Sequence, residues 1–139
     1  MKKMVITGAN GFIGRSAREY FEKEYDIIGI DIAEKCVGGA DGRLTYYQCN
    51  MSKDPAELSM IMGSVQPDVI LHCAGSANVG ASVVNPMADL DGNLHSLYQL
   101  LIALAAIEKK PKIIFMSSAA VYGNPVRLLD VGCGNLRFE

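Results

Sequence analysis

The chain has 139 residues, half of them hydrophobic and a fifth charged, with a formal net charge of −2. That length suits one globular domain with a real core, since a chain of about 150 residues buries roughly 68–70% of its unfolded surface. No basic run exceeds Lys109-Lys110 and no apolar run approaches the roughly 18 residues that span a bilayer, so neither nucleic acid nor membrane is an expected partner.

The first element read along the chain is a short apolar strand over residues 3–7, buried on both faces and therefore central. It enters a turn with glycines at 8, 11 and 14, and the turn opens into a helix over residues 12–23. Each glycine has a physical reason. Gly8 lets the chain leave the strand through torsions that a Cβ hinders. Gly11 lets the backbone approach a pyrophosphate, and Gly14 lets the helix pack closely. Between and after them, Asn10, Phe12 and Ile13 carry the backbone N–H groups of the turn and of the helix start, where an anion is favoured. On the helix, Ile13, Ala17, Tyr20 and Phe21 fall near one apolar face.

A second strand spans residues 25–31 and ends in Asp31, followed by Ile32. A carboxylate there can accept hydrogen bonds from both adenosine-ribose hydroxyls of NAD and would repel the extra phosphate of NADP. Asp31 can equally cap a helix or a turn. Residues 33–43, rich in glycine and charge, read as a loop, and 44–48 as a short third strand. Asn50-Met51 follows, where the Asn50 side chain either meets an adenine edge or bonds its own backbone. Ser52 or Asp54 can cap a helix running to about Gly63, with Pro55 in its first turn.

Residues 68–73 form a fourth, buried strand ending in Cys73, and Ala74-Gly75 follows with the small side chains that a ligand lying across a strand end requires. Residues 77–85 read as a loop. Pro86 then opens a long helix to about Lys109, on which Leu90, Leu94, Leu97, Leu101 and Leu104 form a stripe directed at a sheet. Lys109 and Lys110 suit its C-terminal dipole. Residues 112–116 are the fifth strand, ending at Met116, with Ser117-Ser118 next. The cysteines Cys36, Cys49, Cys73 and Cys133 form no CxxC pair and read as reduced packing residues of a cytoplasmic protein. His72 and Cys73 point to opposite faces of their strand, so no metal is expected. The N-terminus runs straight into a motif-bearing strand, so no signal peptide is expected either.

Alternating strands and helices joined by right-handed crossovers give an α/β, Rossmann-type doubly wound parallel sheet of order 3-2-1-4-5. Ligands bind such sheets at the carboxyl ends of the strands, where the order reverses between strands 1 and 4. The glycine turn, Asp31, Ala74-Gly75 and Ser117-Ser118 all fall at those ends, which points to a site for NAD.

These residues resemble the extended short-chain dehydrogenase/reductase family, the NAD-dependent sugar-nucleotide epimerases and dehydratases. The resemblance rests on TGANGFIG at 7–14, Asp31, HCAG at 72–75, NPMADLDGN at 85–93 and SSAAVYG at 117–123. It implies that Ser118 is the catalytic serine, its hydroxyl bonding the sugar oxygen undergoing oxidation, and that Asn93 is a structural helix residue. Read without the family, Ser118 can be a strand-end serine bonding the backbone. Family members often carry Asp at the position of Asn50 and Tyr at that of Asp89. Their acid/base is the Tyr of a YxxxK motif, whose proton leaves more easily beside the Lys charge. No YxxxK occurs in this chain, and Val126 stands four residues after Tyr122.

The resemblance covers a NAD-binding domain over residues 1–125 and stops before the family's substrate lobe. Residues 126–139 are atypical: VRLLDVGCGN at 126–135 resembles the first motif of class I methyltransferases, too short to form one. That tail reads as a frameshifted end, as an extra edge strand beside strand 5, or as a vestige. The functional expectation is a truncated epimerase/dehydratase relative that binds NAD without full turnover. A nucleotide sugar is expected only in a full-length relative. The alternative is a non-catalytic dinucleotide-binding or self-associating module, and an exposed sheet edge makes a homodimer the expected assembly.

Overall fold

The structure, a computed structural model, describes residues 1–38, 44–118 and 121. Five strands form one parallel sheet of order β3-β2-β1-β4-β5: β1 (Lys2–Thr7), β2 (Tyr25–Asp31), β3 (Leu44–Gln48), β4 (Val69–His72) and β5 (Lys112–Phe115). The doubly wound order expected from the alternation is the one observed. In register, Val5 lies beside Ile28 and Ile70, so the apolar centre of the sheet is three strands wide.

Each face of the sheet has its own core. Val5, Ile28, Ile30 and Ile70 pack with Leu58, Ile61 and Met62 of α2 (Pro55–Val65) and with Leu100, Ala103 and Leu104 of α5 (Ser96–Ala106). Met4, Ile6, Ile27 and Leu71 pack on the opposite face with Ala17 of α1 (Phe12–Phe21). The inward side of α1 is Gly14, Ala17 and Arg18, with Phe21 half-buried. Ile13 and Tyr20, expected on that side, are exposed, and the helix stops at Phe21 rather than at residue 23.

Helix α2 starts with Pro55 at its first turn as expected, but the Asp54 side chain makes no cap bond; it accepts from the Asn50 N–H (3.3 Å) while its carbonyl accepts from Leu58 (3.0 Å). Ser52 does not cap either, because its hydroxyl donates to Asn50 Oδ1 (2.9 Å).

The stretch after β4 departs most from expectation. Residues 79–84 form a short helix, α3 (Val79–Val84), inside what reads as a loop, because Asn78 caps it by accepting from Ala81 N–H (3.0 Å). Asn85 caps α4 (Pro86–Leu90) the same way (3.1 Å). The single long helix expected from 86 to 109 is divided by a π-helical turn over Asp91–His95 and ends at Ala106. A π turn holds more residues than an α turn, which rotates everything after it. The buried positions therefore become Ser96, Leu100, Ala103, Leu104 and Ile107, while Leu90, Leu94 and Leu101 of the expected stripe face outward. Lys110 serves the helix end as expected, donating to the carbonyls of Ala105 (2.8 Å) and Ile107 (2.6 Å). Lys109 instead pairs with Asp68 (2.7 Å). No helix among the described residues is long and apolar enough to cross a membrane. The tail over 126–139, with its expected edge strand, and the 119–120 and 122–123 part of the SSAAVYG motif lie outside the described residues.

Candidate functional site

A cleft of about 600 Å³ opens at the carboxyl ends of β1, β2 and β4, where the strand order reverses. Its first wall is the glycine turn. Gly8 has φ +65°, and a Cβ there would lie 2.8 Å from the Ala74 nitrogen at the end of β4. At Gly14 a Cβ would sit 2.2 Å from the Gly8 carbonyl oxygen, so this glycine lets the helix start close over the turn. Gly11 differs: a Cβ would meet only Gly8 O, at 3.2 Å, and would otherwise project into open space. Gly11 lines the cleft and is the N-cap of α1, so the first-turn N–H groups of that helix have no intrahelical acceptors and are available to an anion.

Asp31 forms the next wall. Its Oδ2 accepts from the Asn10 backbone N–H (2.8 Å) and its Oδ1 from the Ala33 N–H (3.1 Å). The turn-capping role and the cleft-lining role thus coexist, because each carboxylate oxygen keeps a lone pair beyond its backbone bond. Ile32 lines the cleft beside it. Asn50 and Met51 line the far end, with Asn50 Oδ1 engaged by the Ser52 hydroxyl rather than by its own backbone. Met51 is itself part of the core.

The floor is Cys73, Ala74 and Gly75. Thr7 Oγ1 accepts from the Ala74 N–H (3.2 Å) and shares a 2.8 Å hydrogen bond with His72 Nδ1. His72 is 1% exposed, stacks on Phe115 with ring centroids 5.7 Å apart, and its Nε2 has no hydrogen-bond partner among the described residues. Burial holds this imidazole below its ordinary pKa, which favours its neutral form. Burial likewise raises the Cys73 thiol, and it pushes Cys49 up to about 11. Cys36, Cys49 and Cys73 are all unbridged thiols.

Of the residues expected at a cofactor site, the structure brings Gly8, Asn10, Gly11, Asp31, Ile32, Asn50, Met51, Cys73, Ala74 and Gly75 to one cleft. Phe12, Ile13, Gly14, Asn93, Met116 and Ser117 are not in its lining, nor is the expected catalytic Ser118. Asn93 is a latch: its Oδ1 accepts from Ser76 N–H (2.9 Å) and its Nδ2 donates to Asp89 O (3.0 Å), tying the β4 exit to the π turn. A Cβ at Gly75 would lie 2.5 Å from Asn93 Oδ1, so a larger residue there would have to displace this latch. Ser117 and Ser118 are exposed just beyond β5, and Ser118 O accepts from the Val121 N–H (3.2 Å).

Sequence reasoning missed the fourth wall, Ala88, Asp91, Gly92 and Ser96. The available signal was the small residues at 88, 92 and 96, four apart, which outline one side of a helix; the leucine stripe drew attention to another. Lys53 and Ser76 at the rim had no signal beyond their neighbours.

The residues fit a dinucleotide. The turn leaves room where a Cβ would stand at Gly11, the N-cap of α1 that lines the cleft, and the Asp31 carboxylate in the same cleft is held by two backbone N–H groups with lone pairs left to accept from a diol. Comparison with known proteins agrees. The model of the "NAD dependent epimerase/dehydratase family" matches residues 4–131. The UDP-glucose 4-epimerase of Mycoplasma genitalium is 28% identical over 127 residues, covering 87% of this chain and 37% of that protein. The UDP-glucose 4-epimerase of Mus musculus is 31% identical, with 90% of this chain and 40% of that protein covered. The crystal structure of UDP-glucose 4-epimerase from Brucella ovis in complex with NAD superposes with a TM-score of 0.81 at 28% identity, over 92% of this chain and 39% of that one. The chain spans about 37–40% of the length of these curated relatives. Its glycine turn, sheet order and matched residues make it a member of the NAD-dependent epimerase/dehydratase family.

Proposed function

We propose that the chain binds NAD in the cleft at the β1–β4 switch point and, in these 139 residues, does not complete the sugar chemistry of its relatives. The observation that carries the first half is Asp31, whose two oxygens are each oriented by a backbone N–H at the mouth of the glycine turn. In this reading the α1 N-terminus and Gly11 receive the pyrophosphate. Asp31 accepts from both adenosine-ribose hydroxyls, Asn50 and Met51 meet the adenine, and Cys73, Ala74 and Gly75 form the floor. Bound NAD supplies a hydride acceptor for a sugar carbon. Ser118 is the side chain proposed to hold the sugar hydroxyl oxygen. The second half rests on the sequence, which has no YxxxK to move the hydroxyl proton.

Calorimetric titration tests the first half. NAD should bind and NADP should bind more weakly, because the Asp31 carboxylate repels a 2′-phosphate. Asp31→Ala should weaken NAD about ten-fold, the loss of one or two charge-assisted hydrogen bonds, and narrow that preference. Equal affinity for the two cofactors sinks the Asp31 role, and no binding sinks the site. Robust epimerisation of UDP-glucose, the substrate in the names of the relatives, by the purified chain would overturn the second half.

Self-association is a second proposal, favoured by a specific observation. Leu94, Tyr98, Leu101 and Ile102 on the outer side of the π turn and α5 are exposed together. Contiguous apolar patches of this kind mark contact surfaces. Light scattering on the purified chain should report a dimer.

A further inference from the structure

Asp31 does not stand alone. The two residues that orient its carboxylate are Asn10, through its backbone N–H to Oδ2 (2.8 Å), and Ala33, through its N–H to Oδ1 (3.1 Å). Those two residues come from different segments, the glycine turn and the loop after β2. One hydroxyl bridges them. Tyr46 on β3 donates its O–H to the Ala33 carbonyl (2.5 Å) and accepts from Asn10 Nδ2 (3.1 Å). The result is a closed ring of hydrogen bonds: Asp31, Ala33, Tyr46, Asn10 and back to Asp31.

The ring has one consistent set of directions. A phenol has a single proton, so donating to Ala33 O leaves Tyr46 able only to accept from Asn10. The Asn10 amide is set in turn, because its Oδ1 accepts from Val37 N–H (2.9 Å) and its Nδ2 also donates to Lys35 O (2.9 Å). Tyr46 has its pKa raised, first by burial and then by the nearby charges of Asp31 and Cys36, which keeps the proton that the ring requires. The ring plane is also placed: Tyr46 Cδ2 would lie 3.3 Å from a Cβ at Gly29, so the side chain runs closely over β2. Tyr46 does not line the cleft itself.

We infer that Tyr46 is the positioning residue for ribose recognition, a brace that bonds the Asn10 side chain and the Ala33 carbonyl, so linking the two residues whose backbone N–H groups orient Asp31, while touching no cofactor. The inference rests on the proposed NAD site. It accounts for Asn10 as well, whose side chain is spent on Val37, Lys35 and Tyr46 and whose contribution to the cofactor is therefore indirect. Without the hydroxyl, the turn and the loop keep the Asn10 bonds to Val37 and Lys35 but lose the link through Ala33, and the carboxylate loses that part of its fixed aim at the ribose hydroxyls.

Affinities of NAD and of its analogue lacking the adenosine 2′-hydroxyl, measured for the wild type and Tyr46→Phe, test it. The phenylalanine keeps the ring over Gly29, and a thermal melt checks that the variant folds. Tyr46→Phe should weaken NAD about three- to ten-fold, the scale of one lost orienting hydrogen bond, and weaken the 2′-deoxy analogue, which keeps only one hydroxyl for Asp31, by a clearly smaller factor. In an Asp31→Ala background the same substitution should have no further effect, because the brace acts only through that carboxylate. An equal loss for both ligands, no loss for either, or additive losses in the double variant would overturn the brace and leave the NAD site standing. Failure of the wild type to bind NAD overturns both. Should Tyr46→Phe fold poorly, Tyr46→Leu, which also removes the hydroxyl while leaving the Asn10 bonds to Val37 and Lys35 in place, carries the same comparison with the same deciding outcomes.

Discussion

A Cβ at Gly14 would sit 2.2 Å from a backbone carbonyl, closer than any side chain could relieve by turning. Gly14→Ala must therefore move the turn or the helix, and should lower stability by about 1–3 kcal/mol, as overpacking does, read from a denaturant titration. Gly63, on the exposed course of α2 with no atom within 4 Å of a Cβ, serves as the control: Gly63→Ala should leave stability unchanged or raise it by up to about 1 kcal/mol. His72 offers a residue-scale test of burial. Its folded pKa lies below the ordinary 6.5 at which the unfolded chain takes up a proton. Between those values the unfolded state binds more protons, so stability is full above about 6.5 and falls as pH descends toward the folded value. His72→Gln should lose less stability than the wild type between about pH 7.5 and pH 5.5, whatever its stability at neutral pH, because it has no proton to take up. Equal slopes in the two melting series would refute the burial account. At this scale the glycines and Asp31 were legible because each answers a local demand. Arg18 was not. It is 6% exposed and donates to the carbonyls of Val37 (2.7 Å) and Gly38 (3.2 Å), partners that helix periodicity cannot name.

Among the elements, the five strands, α1 and α2 were readable, since each is a short apolar run or an amphipathic stretch bounded by turn residues. The stretch from 79 to 106 was only half readable. Asn78 and Asn85 are helix caps, but either also suits a loop, and only the following turn decides which. The π turn is invisible to a periodicity argument that assumes one constant rotation per residue. Its consequence is measurable at two adjacent leucines. Leu100 is fully buried between α2 and the sheet, and Leu101 is 45% exposed. Leu100→Ala should cost about 2–5 kcal/mol. Leu101→Ala should stay within about 0.5 kcal/mol in the monomer. The uninterrupted stripe predicts the reverse order, so one pair of denaturation curves separates the two. The small residues turned inward at 88, 92 and 96 also leave the cleft its width, as leucines there would fill it.

For the whole molecule, the sheet order brings four chain segments to one switch point and leaves two apolar surfaces uncovered among the described residues. One is the outer side of the π turn and α5. The other is β5, where Ile113, Ile114 and Phe115 are all exposed on the edge strand among the described residues. The proposed self-association uses the first. Leu94→Lys together with Leu101→Lys should abolish a dimer seen by light scattering, by burying charge in an apolar contact, while the melting temperature of the monomer barely moves. A dimer that survives both substitutions would assign the contact elsewhere.

By itself the sequence determined the alternation of strands and helices, the glycine turn, the acid at the end of β2 and hence the family and the cofactor class. These are encoded by neighbours within a few positions, where steric demand and apolar period act directly. Tertiary structure alone decided which side of α5 faces the sheet, that Ser118 stands outside the cleft lining, and that Tyr46 closes a ring with Asn10 and Ala33. The ring depends on groups 13 to 36 residues apart in the chain, and only the packed sheet sets the distances at which its hydrogen bonds form.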